Sequence, residues 1–362
     1  MPKPTERPLP LRATLFDVAK LVGVSIQTVS AVVNDKPGIS AATRERVRQA
    51  ASELDYRPNI LASSLRARKS LSLGVLVSSI TNTFFPEFVR GVEDVAHANG
   101  YSLFLCNSDS RPEKELTYLQ LLRQHAVAGL IAAYEVCSES RQLLIDLIDH
   151  GTPVVTLGRE RIHPRAVTLD SSDEAGGYLA GQHLFALGHQ RIGVICPPRN
   201  QVGLDRMAGF ARAFRENGRP VEDEYWVEGG GFEFTHGQVG MERLASLPEL
   251  PTAILAANDL VAIGAAHVLH KLGYKVPADV SVVGYDDIRM AELFNPPLTT
   301  IVQPMYQLGE TAMRALLRRW AKPTLNGSHK TFHPKLVVRE STAVPRREKQ
   351  TSKTNIRRMP YA

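Results

Sequence analysis

The sequence predicts an all-α head followed by an α/β body containing two parallel sheets, and three observations support this. Across residues 13–54, three short helix signals follow one another closely, each with its own capping residue. From Leu71 the texture changes to short apolar runs alternating with amphipathic stretches, the pattern of parallel strands covered by helices. The alternation lasts about 270 residues, too long for one sheet, so two sheets with a cleft between them are expected.

In the head, a lead rich in proline (Pro2, Pro4, Pro8, Pro10) resists helix formation. Thr14 stands where it can cap a first helix with Asp17 as the acidic half of a capping box, and Phe16, Val18, Ala19 and Val22 supply an apolar face. Gly23 ends that helix. Ser25 caps a second one, to about Val33, which buries Val24, Val29 and Val32. After a loop of Asn34, Asp35, Lys36, Pro37 and Gly38, Ser40 caps a third helix over 41–54, apolar at Val47, Ala50, Ala51 and Leu54. Tyr56-Arg57-Pro58-Asn59 breaks the pattern. The stretch that follows, 60–67, has too little apolar surface to fold alone and runs into the basic Arg66-Ala67-Arg68-Lys69, so it reads as a linker that needs a partner.

In the body, strands are predicted over 73–77, 102–106, 129–132, 153–157, 166–169, 191–195, 253–256 and 280–284. Helices are predicted over 85–99, 113–125, 174–187, 204–217, 261–272 and 306–321. Repeated alternation of this kind places ligands at the carboxyl ends of the strands.

The 362 residues carry 43 Lys+Arg, 37 Asp+Glu and 43% hydrophobic residues, which excludes disorder throughout, collagen and a small disulfide scaffold. The net charge of +6 is unevenly placed: residues 1–70 hold +6, residues 341–362 hold +5, and the stretch between them −5. A basic end suits nucleic acid, an anionic membrane or plain solvent. Cys106, Cys137 and Cys196 are widely spaced with no C-x-x-C pair, and are expected to be buried thiols in a reducing compartment. No secretory signal and no run of 18 apolar residues is visible, so the cytoplasm is the expected location, without a membrane partner.

Two capped helices about a glycine-containing turn within about twenty residues have helix-turn-helix spacing. The second helix then exposes Ser25, Ile26, Gln27, Thr28, Ser30 and Ala31. Hydroxyls and a helix N-terminus suit phosphate oxygens, Gln27 suits an adenine edge, and Ile26 suits a thymine methyl. The run from Thr14-Leu15-Phe16-Asp17 through Val24-Ser25-Ile26-Gln27-Thr28 to Asn34 resembles the helix-turn-helix signature of the lactose/galactose repressor (LacI/GalR) family, and the resemblance extends over roughly 13–344. It implies a head at 13–57, a hinge helix at 58–70 and an effector-binding and dimerisation body at 71–344, while the polar, basic composition of 345–362 predicts a disordered tail. The body would have two subdomains similar to periplasmic sugar-binding proteins, with the chain crossing near 165, 300 and 330.

The resemblance further implies base reading by Ile26, Gln27 and Ala31, and phosphate contacts from Thr14, Ser25, Thr28, Ser30, Asn34, Tyr56 and Asn59. The lactose repressor has arginine where this chain has Ala31, which removes a bidentate guanine contact. Leu65 matches the hinge leucine that wedges into the minor groove at the centre of a palindrome, with Arg66 beside it. The implied partners are a palindromic double-stranded operator, a second copy of the chain and a small effector. The tail lacks the leucine heptad of the family's tetramers, so a homodimer is expected.

In the body the matching motifs include Asn82-Thr83-Phe84-Phe85, Arg206-Met207-Ala208-Gly209-Phe210, Ala257-Asn258-Asp259 and Val283-Gly284-Tyr285-Asp286-Asp287. Family positions lining the cleft map onto Phe84, Phe85, Asp170, Arg206, Phe232, Asn258, Asp286 and Gln303. Acids and amides paired with aromatic faces suit a sugar, sugar phosphate or sugar acid. Val202 stands where purine-binding relatives use a polar residue. From the residues alone, the aromatics also fit a core, Asp286 a loop cap, and Arg206 a structural ion pair.

Catalysis finds no pattern. Gly229-Gly230-Gly231 lacks the Lys-Ser/Thr of a phosphate loop and reads as a flexible turn, while His267 and His270 lack a third ligand. No enzyme, metal or cofactor is expected. The rival readings are a solute-binding receptor of the same fold and a doubly wound enzyme.

Overall fold

The computed structural model describes residues 13–56, 70–133, 137–197, 199–219 and 223–346, and the chain divides after Ser70 into two compact units. In the head, α1 (Leu15–Val22), α2 (Ile26–Val33) and α3 (Ala41–Glu53) close around Val18, Val22, Val29, Val32 and Val47. The capping box forms as expected, with Thr14 N–H donating to Asp17 Oδ2 at 2.8 Å and Asp17 N–H to Thr14 Oγ1 at 3.4 Å. Gly23, at φ +74°, turns the chain out of α1 in a conformation that costs other residues more. Phe16 departs from expectation and is 60% exposed. The buried face is set by Val18, Ala19 and Val22, and Leu15 rather than Phe16 continues it at helical spacing.

The body begins with β1 (Ser72–Val77), α4 (Phe84–Ala98), β2 (Ser102–Asn107), α5 (Pro112–Gln124), β3 (Gly129–Ala133), α6 (Ser138–Asp149), β4 (Val154–Leu157) and β5 (Val167–Ser171). A second lobe repeats the plan with α7 (Asp173–Ala186), β6 (Ile192–Cys196), α8 (Gln201–Glu216), β7 (Trp226–Glu228), α9 (Phe234–Ala245), β8 (Ala253–Ala256), α10 (Asp259–Lys271), β9 (Ser281–Asp286), α11 (Arg289–Leu293) and β10 (Thr299–Val302). The chain then returns to the first lobe through α12 (Met305–Ala321), which packs on α4, and β11 (His329–Phe332), before crossing once more to β12 (Lys335–Val337).

The first sheet has the order β11-β5-β4-β3-β1-β2, all parallel. The second has the order β12-β10-β9-β8-β6-β7, parallel except that β12 runs against β10. Central strands such as β3, β6 and β8 are buried along their whole length because helices cover both faces, which is why they read as unbroken apolar runs. Cys106 and Cys196 are buried, and burial pushes both thiols up to about 11. Cys137 is only half-buried, because it stands at the N-terminal end of α6 instead of lying within a strand.

Candidate functional site

In the head, the first turn of α2 is solvent-facing: Ser25, Ile26 and Gln27 are exposed, while Thr28, Ser30 and Ala31 are half-covered. Several polar side chains assigned to phosphates also hold the motif together. Ser25 Oγ accepts from Thr28 N–H at 3.1 Å, Asn34 Nδ2 donates to the Ser30 carbonyl at 2.7 Å, and Tyr56 packs on the head core. Part of the head's positive charge is engaged internally. Arg44 and Arg48 reach Asp35 at 3.1 and 3.0 Å, and Arg46 donates to the Val22 carbonyl at 2.6 Å. Asn59, Leu65 and Arg66, with the rest of residues 57–69 and the tail beyond 346, lie outside the described residues.

In the body, loops leaving the carboxyl ends of both sheets line a cleft of about 990 Å³. Its floor is organised by Arg206, which α8 carries. Arg206 Nε donates to Asp173 Oδ1 at 2.8 Å, Nη1 to the Ala257 carbonyl at 2.7 Å, and Nη2 to Asp286 Oδ1 at 3.1 Å. The same guanidinium lies 3.7 Å from the ring centre of Tyr285 and 5.5 Å from that of Phe232. Gln303 Nε2 donates to Asp286 Oδ1 at 2.7 Å. Asp286 sits at φ +103°, a backbone strain of about 1–3 kcal/mol that these partners hold in place.

Burial is the main electrostatic influence here. It raises the Asp286 carboxyl, with Arg206 opposing, and pushes Asp173 up to about 6 against the same opposition. Arg206 also pays for its burial, yet Asp286 and Asp173 more than offset that cost and hold it charged. Asp170, at the end of β5, is raised by burial, with His329 opposing and Asp205 adding a further push.

Seven of the eight positions expected in the cleft line it: Phe84, Phe85, Asp170, Arg206, Phe232, Asp286 and Gln303. Phe85 also belongs to the first lobe's core, so the core and ligand readings coexist there. Asn258 does not line the cleft. It is 1% exposed and caps α10, accepting from Val261 N–H at 2.9 Å and donating to the Phe232 carbonyl at 3.0 Å, and it also hydrogen-bonds the Asp286 carboxylate, so it acts by holding Phe232 and Asp286. Val202 and two glycines of the triplet, Gly230 and Gly231, also face the cleft.

Sequence reasoning missed Asp173, Arg159, Asp205, Thr81 and Glu233. Arg159 meets Asp205 at 3.2 Å and Thr81 Oγ1 donates to Glu233 Oε1 at 3.3 Å, each pair joining the two lobes. His267 and His270 are exposed, and among the described residues no group of three metal-ligating side chains gathers.

A helix-turn-helix head on a two-lobed, cleft-bearing α/β body defines a ligand-responsive DNA-binding protein. Residues 14–59 match the model of the bacterial regulatory proteins of the lacI family, and residues 182–342 match a periplasmic binding protein-like domain. The HTH-type transcriptional repressor PurR of Vibrio vulnificus (strain CMCP6) is 36% identical over 332 residues, 91% of this chain and 98% of that protein. Among solved structures, the lac repressor dimer bound to operator and the anti-inducer ONPF aligns with a TM-score of 0.80 at 33% identity, covering 91% of this chain and 99% of that one. A complex of the transcriptional regulator CelR with cellobiose aligns at 0.68 with 30% identity, covering 91% and 100%. The chain belongs to the lacI family: it is a DNA-binding transcriptional repressor with an effector-binding body, and not an enzyme.

Proposed function

We propose that this repressor acts as a homodimer on a palindromic operator, with Ile26, Gln27 and Ala31 reading bases, and that a small sugar-like effector in the body cleft sets its operator affinity. The observation that carries the effector reading is the Arg206 fork. It fixes Asp286 and Asp173 in one orientation at the floor of a cleft walled by Phe84 and Phe232, so hydroxyls meet set acceptors while a ring's apolar face meets an aromatic. The cellobiose held by CelR agrees with that chemistry.

A second copy is supported by the open edge of the first sheet. There β2 exposes Phe104 and Leu105, and the neighbouring α5 exposes Leu121, each by more than 40%. The lac repressor to which the chain aligns is itself a dimer. Two measurements test the proposal. The full chain should prefer a palindrome over random DNA with an affinity that falls steeply with salt. Leu105→Lys should turn a dimer into a monomer by light scattering and lose operator affinity with it. Equal affinity for random DNA would sink the first half, and an unchanged mass the second.

A further inference from the structure

Charge sorts the ligands the cleft can take. Its described lining residues include eight carboxylates and four guanidiniums. All four guanidiniums are already engaged: Arg206 by Asp173 and Asp286, Arg159 by Asp205, Arg141 by Glu160 at 2.8 Å, and Arg199 by Glu228 at 2.7 Å. On Arg206, Nε, Nη1 and Nη2 all have acceptors. Among the described lining residues an entering phosphate or carboxylate therefore finds no unpaired guanidinium and must displace an acid while sitting among others.

Asp170 presents the opposite need. It is half-buried where β5 ends, it lines the cleft, and among the described residues no donor lies within hydrogen-bonding reach of its carboxylate. Three ionisable side chains act on it through space: His329 on the adjacent β11, which favours its charge without a hydrogen bond, Asp205, which repels it, and Arg159, which Asp205 already holds. A partly desolvated acceptor with no partner selects for a ligand donor and against a second negative charge.

We infer that the effector is a neutral or cationic molecule that gives a hydroxyl, N–H or ammonium to Asp170, and that phosphorylated or carboxylated forms of the same scaffold are rejected. This rests on the reading of the cleft as the effector site and narrows it: of the three classes the sequence allows, sugar phosphates and sugar acids drop out. Asp170 is the specificity-determining residue.

The test uses the full-length protein and scaffolds differing only in charge: glucose, glucosamine, glucose 6-phosphate and glucuronate, then ribose with ribose 5-phosphate, and adenosine with AMP. Thermal shift identifies which scaffolds bind, and calorimetric titration ranks their members. The expected result is that the neutral or aminated member of a binding scaffold binds at least about tenfold more tightly than its anionic counterpart. Asp170→Asn keeps the shape and removes the charge, so it should shrink that gap to about threefold or less, with the unliganded melting temperature as the control for folding. An anionic member binding as tightly as its neutral counterpart overturns the inference and leaves the effector site standing. A gap unchanged in Asp170→Asn overturns the role of Asp170. Stabilisation by no scaffold at all overturns the assignment of the cleft to sugar-like effectors, and the inference with it.

Discussion

With its guanidinium buried between two carboxylates and against the ring of Tyr285, Arg206 carries a charge whose desolvation only its partners offset. Arg206→Ala should therefore cost about 3–5 kcal/mol, because Asp173 and Asp286 are left buried without a counter-ion. A lowered urea midpoint and lost effector binding would show it. Arg206→Lys, a single point donor facing three separated acceptors, should recover only part of either. His189 carries a different prediction. Its ring reaches Thr252 Oγ1 at 2.9 Å through Nδ1, and Ser281 Oγ and the Ala343 carbonyl at 3.1 and 2.9 Å through Nε2. Burial lowers its pKa, and that of His183, below the ordinary 6.5. Below that value the unfolded chain binds protons that the native state refuses, so stability should fall as pH drops through about 6.5 towards the lower folded values. Melting temperatures between pH 7.5 and 5.5 should fall less steeply in His189→Gln than in the native chain. Asp286 and Arg206 were legible in the sequence through the family motifs around them. Asp173 was not, because an acid in the first turn of a helix is the commonest of capping choices and gives no sign of facing a cleft. Asn258 reaches the cleft only indirectly: its motif marks it as a lining residue, whereas its side chain caps α10 and supports Phe232 and Asp286 from behind.

Among the elements, three helix pairs share one packing device. A Cβ on Gly177 would lie 2.3 Å from the Arg206 carbonyl and one on Gly209 2.1 Å from that of Glu174, joining α7 to α8. The same relation links α4 to α12 through Gly91 and Gly309, and α9 to α10 through Gly237 and Gly264. The backbones come this close only because no side chain intervenes. In the α7–α8 pair, this closeness is what sets Arg206 beside Asp173. Gly209→Ala should force α8 away, with a loss of about 1–3 kcal/mol from overpacking and weaker effector binding as the fork opens; chemical denaturation and titration would read the two effects. These glycines explain part of what periodicity did not reveal. Gly237 and Gly240 interrupt the apolar pattern of α9 because they face its neighbours, so that helix carries a weak signal. Likewise β10 follows two prolines and reads as a loop, β11 is largely exposed and so lacks an apolar run, and β7 and β12 have only three residues each. Strands with an apolar run of four or more residues were legible, β2 at an edge included, whereas the buried β10 with its two threonines and the short or exposed β7, β11 and β12 were not.

For the whole molecule, what matters is how firmly the two lobes are held across the cleft. Arg159 and Asp205 make one polar contact between them, and Thr81 and Glu233 another. Arg159 is 61% exposed, so solvent screens its pair and limits it to about 1 kcal/mol or less. Contacts this weak leave the lobe angle open to control, since an effector coupled to operator affinity by about 1–3 kcal/mol need only favour one angle by that much. Arg159→Ala should accordingly leave stability nearly unchanged while weakening effector binding about two- to fivefold, and Asp205→Ala should do the same. The double variant should be no worse than either single one, because each removes the same contact. Raising salt to about 0.5 M should reproduce the weakening in the native chain and add little in the variants, given how strongly a surface pair is screened. Calorimetric titration of the four proteins at two salt concentrations checks all of this, and singles that add in the double would mean that the two side chains act separately and not as a latch.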